Sequence, residues 1–256
     1  MKFFLLVLIL LGPRAVAQQE KVILKGENAT SEIEAAGYPE FSFRVPELAG
    51  TLKLGVIRGG ESVWLKDVSV AGFSKENSGV KYTLKDPVLG NGSLVIEAVS
   101  LSRTDGLVLE AEARDLQEDV KLFWAFGGAS GREIPGGAAG LNPDDCKNNV
   151  FSVEGSLFTV YYGESMKLKV FQGVTPPGAE IRLSDAGKQE PPLAFFNSGK
   201  RTQTPSLAAA LPLKKDDKLY FCFYRQNSRA DYNYFMLPEV FFRSKKTGGG
   251  KTISSS

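Results

Sequence analysis

Histidine is absent from all 256 residues, which removes the usual general base of serine and cysteine hydrolases. Cysteine occurs only at Cys146 and Cys222. Two distant thiols and no imidazole make no zinc site of a known kind, so neither a metal nor a cofactor is expected. An excess of one charge is missing as well. Lys and Arg number 31 against 29 Asp and Glu, and the signs are interspersed. Such a chain has no electrostatic basis for binding nucleic acid or an anionic membrane. The longest apolar run, Phe3 to Leu11, is well short of the ~20 residues of a membrane span. No amphipathic helical stripe reaches twelve residues.

That apolar run follows Met1-Lys2 and precedes Ala15-Val16-Ala17. A positive start, an apolar stretch and small residues at the cleavage positions are the three parts of a secretory signal. Residues 1–17 are therefore predicted to be a signal peptide, with the mature chain starting at Gln18 in the periplasm or outside the cell. No membrane span is expected after cleavage. Removing Lys2 and Arg14 leaves 29 basic and 29 acidic residues. Export makes a disulfide between Cys146 and Cys222 chemically accessible. Spacing leaves two readings open, that disulfide or two isolated thiols.

The dominant pattern has a period of two. It runs through residues 41–45, 51–56, 80–84, 107–112, 120–126, 157–161, 166–170, 219–224 and 239–242. Alternation of this kind places one set of side chains in a core and the other toward solvent. The β-branched and aromatic content favours strands. Turn signals that can close hairpins separate the runs at Arg58-Gly59-Gly60, Leu89-Gly90-Asn91-Gly92, Thr104-Asp105-Gly106 and Lys214-Lys215-Asp216-Asp217. The expected fold is all-β, an antiparallel β-sandwich large enough to be a super-sandwich. It spans 18–243, followed by a flexible tail over 244–256. Trp124, in the most apolar run, is predicted to be buried.

One segment breaks the pattern. Gly127 to Asn149 holds six glycines, two prolines and little alternation, and long loops in compact domains are commonly functional. Its opening Gly127-Gly128-Ala129-Ser130-Gly131-Arg132 lacks the Lys-Ser/Thr ending of a phosphate loop, and Pro135 argues against a following helix. Asn142, Asp144, Asp145, Asn148 and Asn149 are oxygen donors without the spacing of a calcium loop. The polar side chains Arg132, Glu133, Asp144, Asp145 and Lys147 suit hydroxyl recognition and are candidate binding residues. Arg229, Asp231, Tyr232 and Tyr234 form a second candidate patch that mixes aromatic and polar groups. No catalytic residue is assigned. A glycosidase needs only two carboxylates, for which Glu110, Glu112, Asp115, Asp144, Asp145 and Glu154 are candidates. Glu110 and Glu112 stand at polar positions of a strand and are expected to face solvent.

Three stretches together carry a family resemblance. They are Leu122-Phe123-Trp124-Ala125-Phe126-Gly127-Gly128-Ala129-Ser130-Gly131, Asp144-Asp145-Cys146-Lys147-Asn148-Asn149-Val150 and Pro176-Pro177-Gly178-Ala179-Glu180-Ile181-Arg182-Leu183-Ser184-Asp185-Ala186. The chain resembles an uncharacterised family of exported bacterial proteins, domain of unknown function 4450. The resemblance implies a β-rich region that stands N-terminal to a helical barrel like that of a glycoside hydrolase. It carries over no catalytic residue. The sequence ends at Ser256 without such a barrel, which leaves a stand-alone module or a piece of a longer enzyme as readings. The expected function is a non-catalytic module of carbohydrate-processing machinery whose partner is a glycan or a catalytic helical-barrel domain. A glycoside hydrolase and an envelope protein-interaction module are the alternatives.

Overall fold

The computed structural model describes residues 21–26, 32–45, 47–76, 79–102, 104–116, 119–133, 140–163, 168–199, 201–226 and 238–246. The predicted signal peptide, residues 247–256 and the Arg229–Tyr234 patch lie outside the described residues.

In chain order the elements are β1 (Val22–Leu24), β2 (Glu32–Ala35), β3 (Glu40–Val45), β4 (Glu47–Arg58), β5 (Glu61–Trp64), β6 (Ser69–Glu76), β7 (Gly79–Lys85), β8 (Ser93–Ser100), β9 (Gly106–Arg114) and β10 (Val120–Gly127). There follow α1 (Pro143–Cys146), β11 (Val150–Glu154), β12 (Leu157–Tyr162), β13 (Lys169–Val174), β14 (Glu180–Asp185), α2 (Pro192–Phe196), β15 (Pro205–Pro212), β16 (Lys218–Arg225) and α3 (Pro238–Lys246). Strands account for 55 % of the described residues. They form two eight-stranded antiparallel sheets. The first runs β1-β2-β3-β4-β10-β15-β14, with β5 also paired to β4, and the second runs β11-β12-β13-β16-β9-β8-β7-β6. The all-β sandwich is therefore the observed fold.

The twelve-residue β4 organises the first sheet. Its first half pairs with β3 and its second half with β5, while β10 takes its other edge from Thr51 to Arg58. Inward side chains of the two sheets meet in one core. Leu52, Leu54 and Val56 alternate on β4, and Leu122, Trp124 and Phe126 on β10. Opposite them lie Leu107, Leu109 and Ala111 on β9 and Phe221 and Phe223 on β16. Trp124 is fully buried and stacks on Phe158 at 5.6 Å. Gly50 has φ 131, and a Cβ there would sit 2.5 Å from the Phe126 ring, so the strand needs glycine at that point.

Alternation does not divide core from solvent in the central strands. Every residue of β4 from Leu48 to Ile57 is buried, as is most of β8, β9 and β10. The outer face of the first sheet is covered by α1, α2 and the segment around Leu141, which close over Ile57, Trp64, Phe123, Ala125, Ala208 and Ala210. The outer face of the second sheet carries Val99, Val108, Val174, Cys222 and Tyr224 under Phe242 of α3.

Four expectations are corrected. Residues 239–242 read as a strand but belong to α3. Pro238 and Glu239 suit a helix start, and Arg243, Lys245 and Lys246 suit its end. The helix also takes in Ser244, Lys245 and Lys246, so the tail does not start at 244. The turn at Lys214–Asp217 closes no hairpin, because β15 and β16 belong to different sheets. Finally, Glu110 is buried, 5 % exposed beneath Tyr220, Lys218 and α3, and Glu112 is half-buried.

Candidate functional site

The segment after β10 turns back along the sandwich. Gly131 N–H donates to Leu48 O at 2.9 Å and Leu48 N–H donates to Arg132 O at 3.0 Å, which fastens this stretch to the start of β4. Gly131 has φ 67, a left-handed conformation that favours glycine. Asn142 then caps α1. Its side chain accepts from Asp144 N–H at 3.0 Å, and Pro143 occupies the first helical turn.

Asn149 is the fastener of the loop. Ala129 N–H donates to its Oδ1 at 3.1 Å, and its Nδ2 donates to Ala129 O at 2.6 Å and Asp145 O at 3.1 Å. Gly128 N–H donates to Cys146 Sγ at 3.1 Å. Burial pushes the Cys146 thiol up to about 12, although the Gly128 contact acts the other way. In sequence Asn149 stands out only as a calcium-type oxygen donor. Its clasp on Ala129 has no local signal, because that residue lies twenty positions away and meets Asn149 only in the folded loop.

These contacts shape a cleft of about 1260 Å³ that includes Glu47, Ser130, Arg132, Asp144, Asp145 and Lys147, with Val150, Leu168 and Lys169 at its edges. Four of the five predicted loop residues, Arg132, Asp144, Asp145 and Lys147, therefore meet at one place. Glu133 is exposed but does not line the cleft. Arg132 Nε donates to the buried Asp145 Oδ1 at 3.0 Å, and Nη2 adds a second contact. Lys147 Nζ lies 2.8 Å from Asp144 Oδ1. Lys169 pairs with Glu47. Among the described residues that line the cleft, three cations are thus matched to three carboxylates. The hydrogen bond from Lys147 holds Asp144 below the usual carboxylate range.

The other hydrolase candidates do not join this cleft. Glu110 accepts from Tyr220 OH at 2.6 Å and Lys218 at 3.2 Å on the far side of the second sheet. Glu112 beside it is held low by its hydrogen bond from Arg114. Asp115 lies near Lys215, and Glu154 is exposed on the edge strand β11. Among the described residues no group of three or more His, Cys, Asp or Glu is placed to hold a metal.

The cysteines are both free and buried. Cys146 packs on the outer face of the first sheet and Cys222 on the outer face of the second. The two sheets of a sandwich are ~10 Å apart, and a disulfide needs Cα atoms within ~7 Å. The disulfide reading is therefore corrected to two isolated thiols. Burial raises the Cys222 thiol also.

Trp64 and Trp124 are both core residues, as expected for Trp124. Among the described residues no helix is long and apolar enough to cross a membrane.

A family profile described as Domain of unknown function (DUF4450) matches residues 45–245. No curated protein matches the chain. Among solved structures, the heparan sulfate lyase HepC from Pedobacter heparinus is similar over 69 % of this chain and 24 % of its own, with 7 % identity and a TM-score of 0.39. A heparinase III, the BT4657 gene product, shares 11 % identity over 69 % of this chain and 24 % of its own, with a TM-score of 0.36. A polysaccharide lyase, BACCELL_00875, shares 16 % identity over 73 % of this chain and 27 % of its own, with a TM-score of 0.33. The matched region is about a quarter of the length of each of these structures.

Proposed function

The chain belongs to the DUF4450 family, and we propose that it acts as an exported, non-catalytic β-sandwich module of carbohydrate-processing machinery that holds a glycan in the cleft beside α1. The observation that carries this reading is the matched set of ion pairs in an open groove of about 1260 Å³. Paired donors and acceptors with no net charge suit a ligand made of neutral hydroxyls, each of which both gives and takes hydrogen bonds. A cleft with unmatched lysines would favour an anion instead.

The same geometry weighs against hydrolysis. A glycosidase acid must keep its proton near neutral pH. Asp144 is held in its ionised form by Lys147, and the Asp145 carboxylate is engaged by Arg132.

A second reading has its own support. Val150 and Leu168 are 61 % and 58 % exposed at the cleft, and an apolar rim suits packing against a catalytic domain.

Native gel electrophoresis of the mature protein through a panel of neutral polysaccharides tests the first reading. Arg132 and Lys147 are mostly exposed; because Arg132→Ala also leaves the buried Asp145 carboxylate without its partner, circular dichroism is used to verify that each variant is folded. Retention by one polysaccharide that is lost in Arg132→Ala and Lys147→Ala supports glycan binding. Retention that survives in both variants removes the cleft from the account. Sugar release during the assay favours the hydrolase. N-terminal sequencing of the exported protein tests cleavage before Gln18, and a chain that still begins at Met1 overturns it.

A further inference from the structure

The second sheet ends at β11. Among the described residues no strand lies beyond it, and no backbone hydrogen bond outside its hairpin with β12 reaches residues 150–154. An open edge of this kind invites pairing with another strand, and proteins blunt it with short strands, charges, Pro, bulges or a cover. The three other sheet ends carry such devices. β1 has three residues, set between Lys21 and Lys25. β6 has a register shift between Val70 and Gly72 and carries Lys75. β14 carries Arg182, and the N–H of its last residue, Asp185, donates to Ser198 Oγ at 2.9 Å. β11 reads Val150-Phe151-Ser152-Val153-Glu154. It has no Lys, Arg or Pro, runs along β12 without a register shift, and holds its one charge at its last position.

The turn after β11 fixes which of its backbone groups face outward. Gly155 and Ser156 form a two-residue hairpin loop, with Gly155 at φ 62. The flanking pair, Glu154 and Leu157, is then hydrogen-bonded, and hydrogen-bonded pairs alternate along the ladder. Ser152 and Val150 therefore turn their backbone groups to β12, while the N–H and C=O of Phe151 and Val153 point away from it. Phe151 and Val153 stand opposite the buried Val160 and Phe158, on the face toward the inter-sheet core. Phe151 packs on that core but is only half-buried, and Val153 is 43 % exposed. The open end of the sandwich thus combines an apolar face with four outward backbone groups.

We propose that β11 is the contact of a symmetric dimer, pairing antiparallel with β11 of a second copy about a twofold axis at Ser152. In this register Phe151 faces Val153 of the second copy, and the outward groups of both strands join in four hydrogen bonds. A register one residue away opposes an outward group to an inward one, and a register two residues away shortens the ladder. The side chains are self-complementary in the same register. Phe151 and Val153 cover each other twice, Ser152 meets Ser152, and Glu154 meets Val150, so no like charges are opposed. With 31 bases against 29 acids, the chain sets up no strong repulsion between copies. Val150 also lines the cleft, so the dimer places two clefts beside one axis. The dimer does not rest on the glycan reading.

Cross-linking reads the register directly. Residues opposed in a non-hydrogen-bonded antiparallel pair have Cα atoms ~4.5 Å apart, within reach of a disulfide. Ser152→Cys is expected to give a covalent dimer on mild oxidation. Val150→Cys and Glu154→Cys are expected to cross-link with each other when mixed. Neither should cross-link with itself, since about 13 Å of strand separates each from its own counterpart. Both native thiols are buried and give little background. Sedimentation of the native protein over a concentration series is expected to show a reversible dimer. Val153→Lys, which sets a charge against Phe151 of the second copy, is expected to weaken it about tenfold or more. Circular dichroism verifies that this variant is folded. A native chain that stays monomeric at every concentration overturns the dimer and leaves the edge to a strand of another protein. A dimer that survives Val153→Lys, or that forms without the cross-link between positions 150 and 154, uses another contact and overturns it as well.

Discussion

Trp124 shows what one side chain contributes to the sandwich. It is fully buried, stacked on Phe158, and its indole N–H has no hydrogen-bond partner among the described residues. Its contribution is therefore packing. Trp124→Ala is expected to destabilise by about 3–5 kcal/mol, whereas Trp124→Phe, which gives up no hydrogen bond, is expected to cost much less. Urea unfolding midpoints check both. Lys53 makes a different case. Burial sets its folded pKa below the unfolded value near 10.5. Between those two values the unfolded chain binds the extra proton, so stability rises with pH in that window. Lys53→Met is expected to abolish that rise, measured as unfolding midpoints from pH 7 to 10.

Among the elements, α3 is held at its two flanks by different forces. Phe242 enters the apolar cluster beside Tyr220, and Lys246 Nζ lies 2.6 Å from both Glu76 and Glu97. Burial alone would raise Glu97, but hydrogen bonds from Lys246 and Lys81 outweigh it and leave the pKa lowered. Burial alone would lower Lys246, and its two carboxylates raise it instead. The Glu97 contribution is present above the ordinary carboxylate value and is lost as pH falls through its folded pKa. The Lys246 contribution is complete below 10.5 and is lost as pH rises through its folded pKa. Near neutral pH both are in place. Lys246→Met is expected to cost about 1 kcal/mol or less, because the lysine is partly exposed. Hydrogen exchange should quicken at residues 243–246 and not in β16. The loop offers the contrasting test. Asn149→Ala strands the buried Ala129 N–H and C=O and is expected to cost about 1–3 kcal/mol, with faster exchange confined to residues 128–133 and 142–149.

For the whole molecule, β4 and β10 send alternate side chains into the inter-sheet core and the outer cluster of the first sheet. The two clusters therefore share a backbone and cannot melt separately. Thermal unfolding is expected to be one transition, coincident by circular dichroism and by Trp emission. Both thiols are buried on opposite outer faces, so they should stay unreactive to a thiol reagent until that transition. Modification well below it would show that one face opens independently.

The period-two runs were enough to indicate strands, a sandwich and a buried Trp124, because alternation and β-branched content are local properties of the backbone. The break in that pattern also marked Gly127–Asn149 as the segment that gathers Arg132, Asp144, Asp145 and Lys147. Other features depend on partners distant in the chain. The outer faces of β4, β9 and β10 are buried only because α1, α2 and α3 fold over them, which is why Glu110 is not a surface residue. A nine-residue helix spaced much like a strand, α3, was decided by the apolar cluster that receives Phe242. The separation of Cys146 from Cys222 follows from the two sheets they sit on, and the opposition of Glu40 to Lys53 from the register of β3 on β4. Sequence specifies which residues are able to face a core. The register and the layers decide which of them meet.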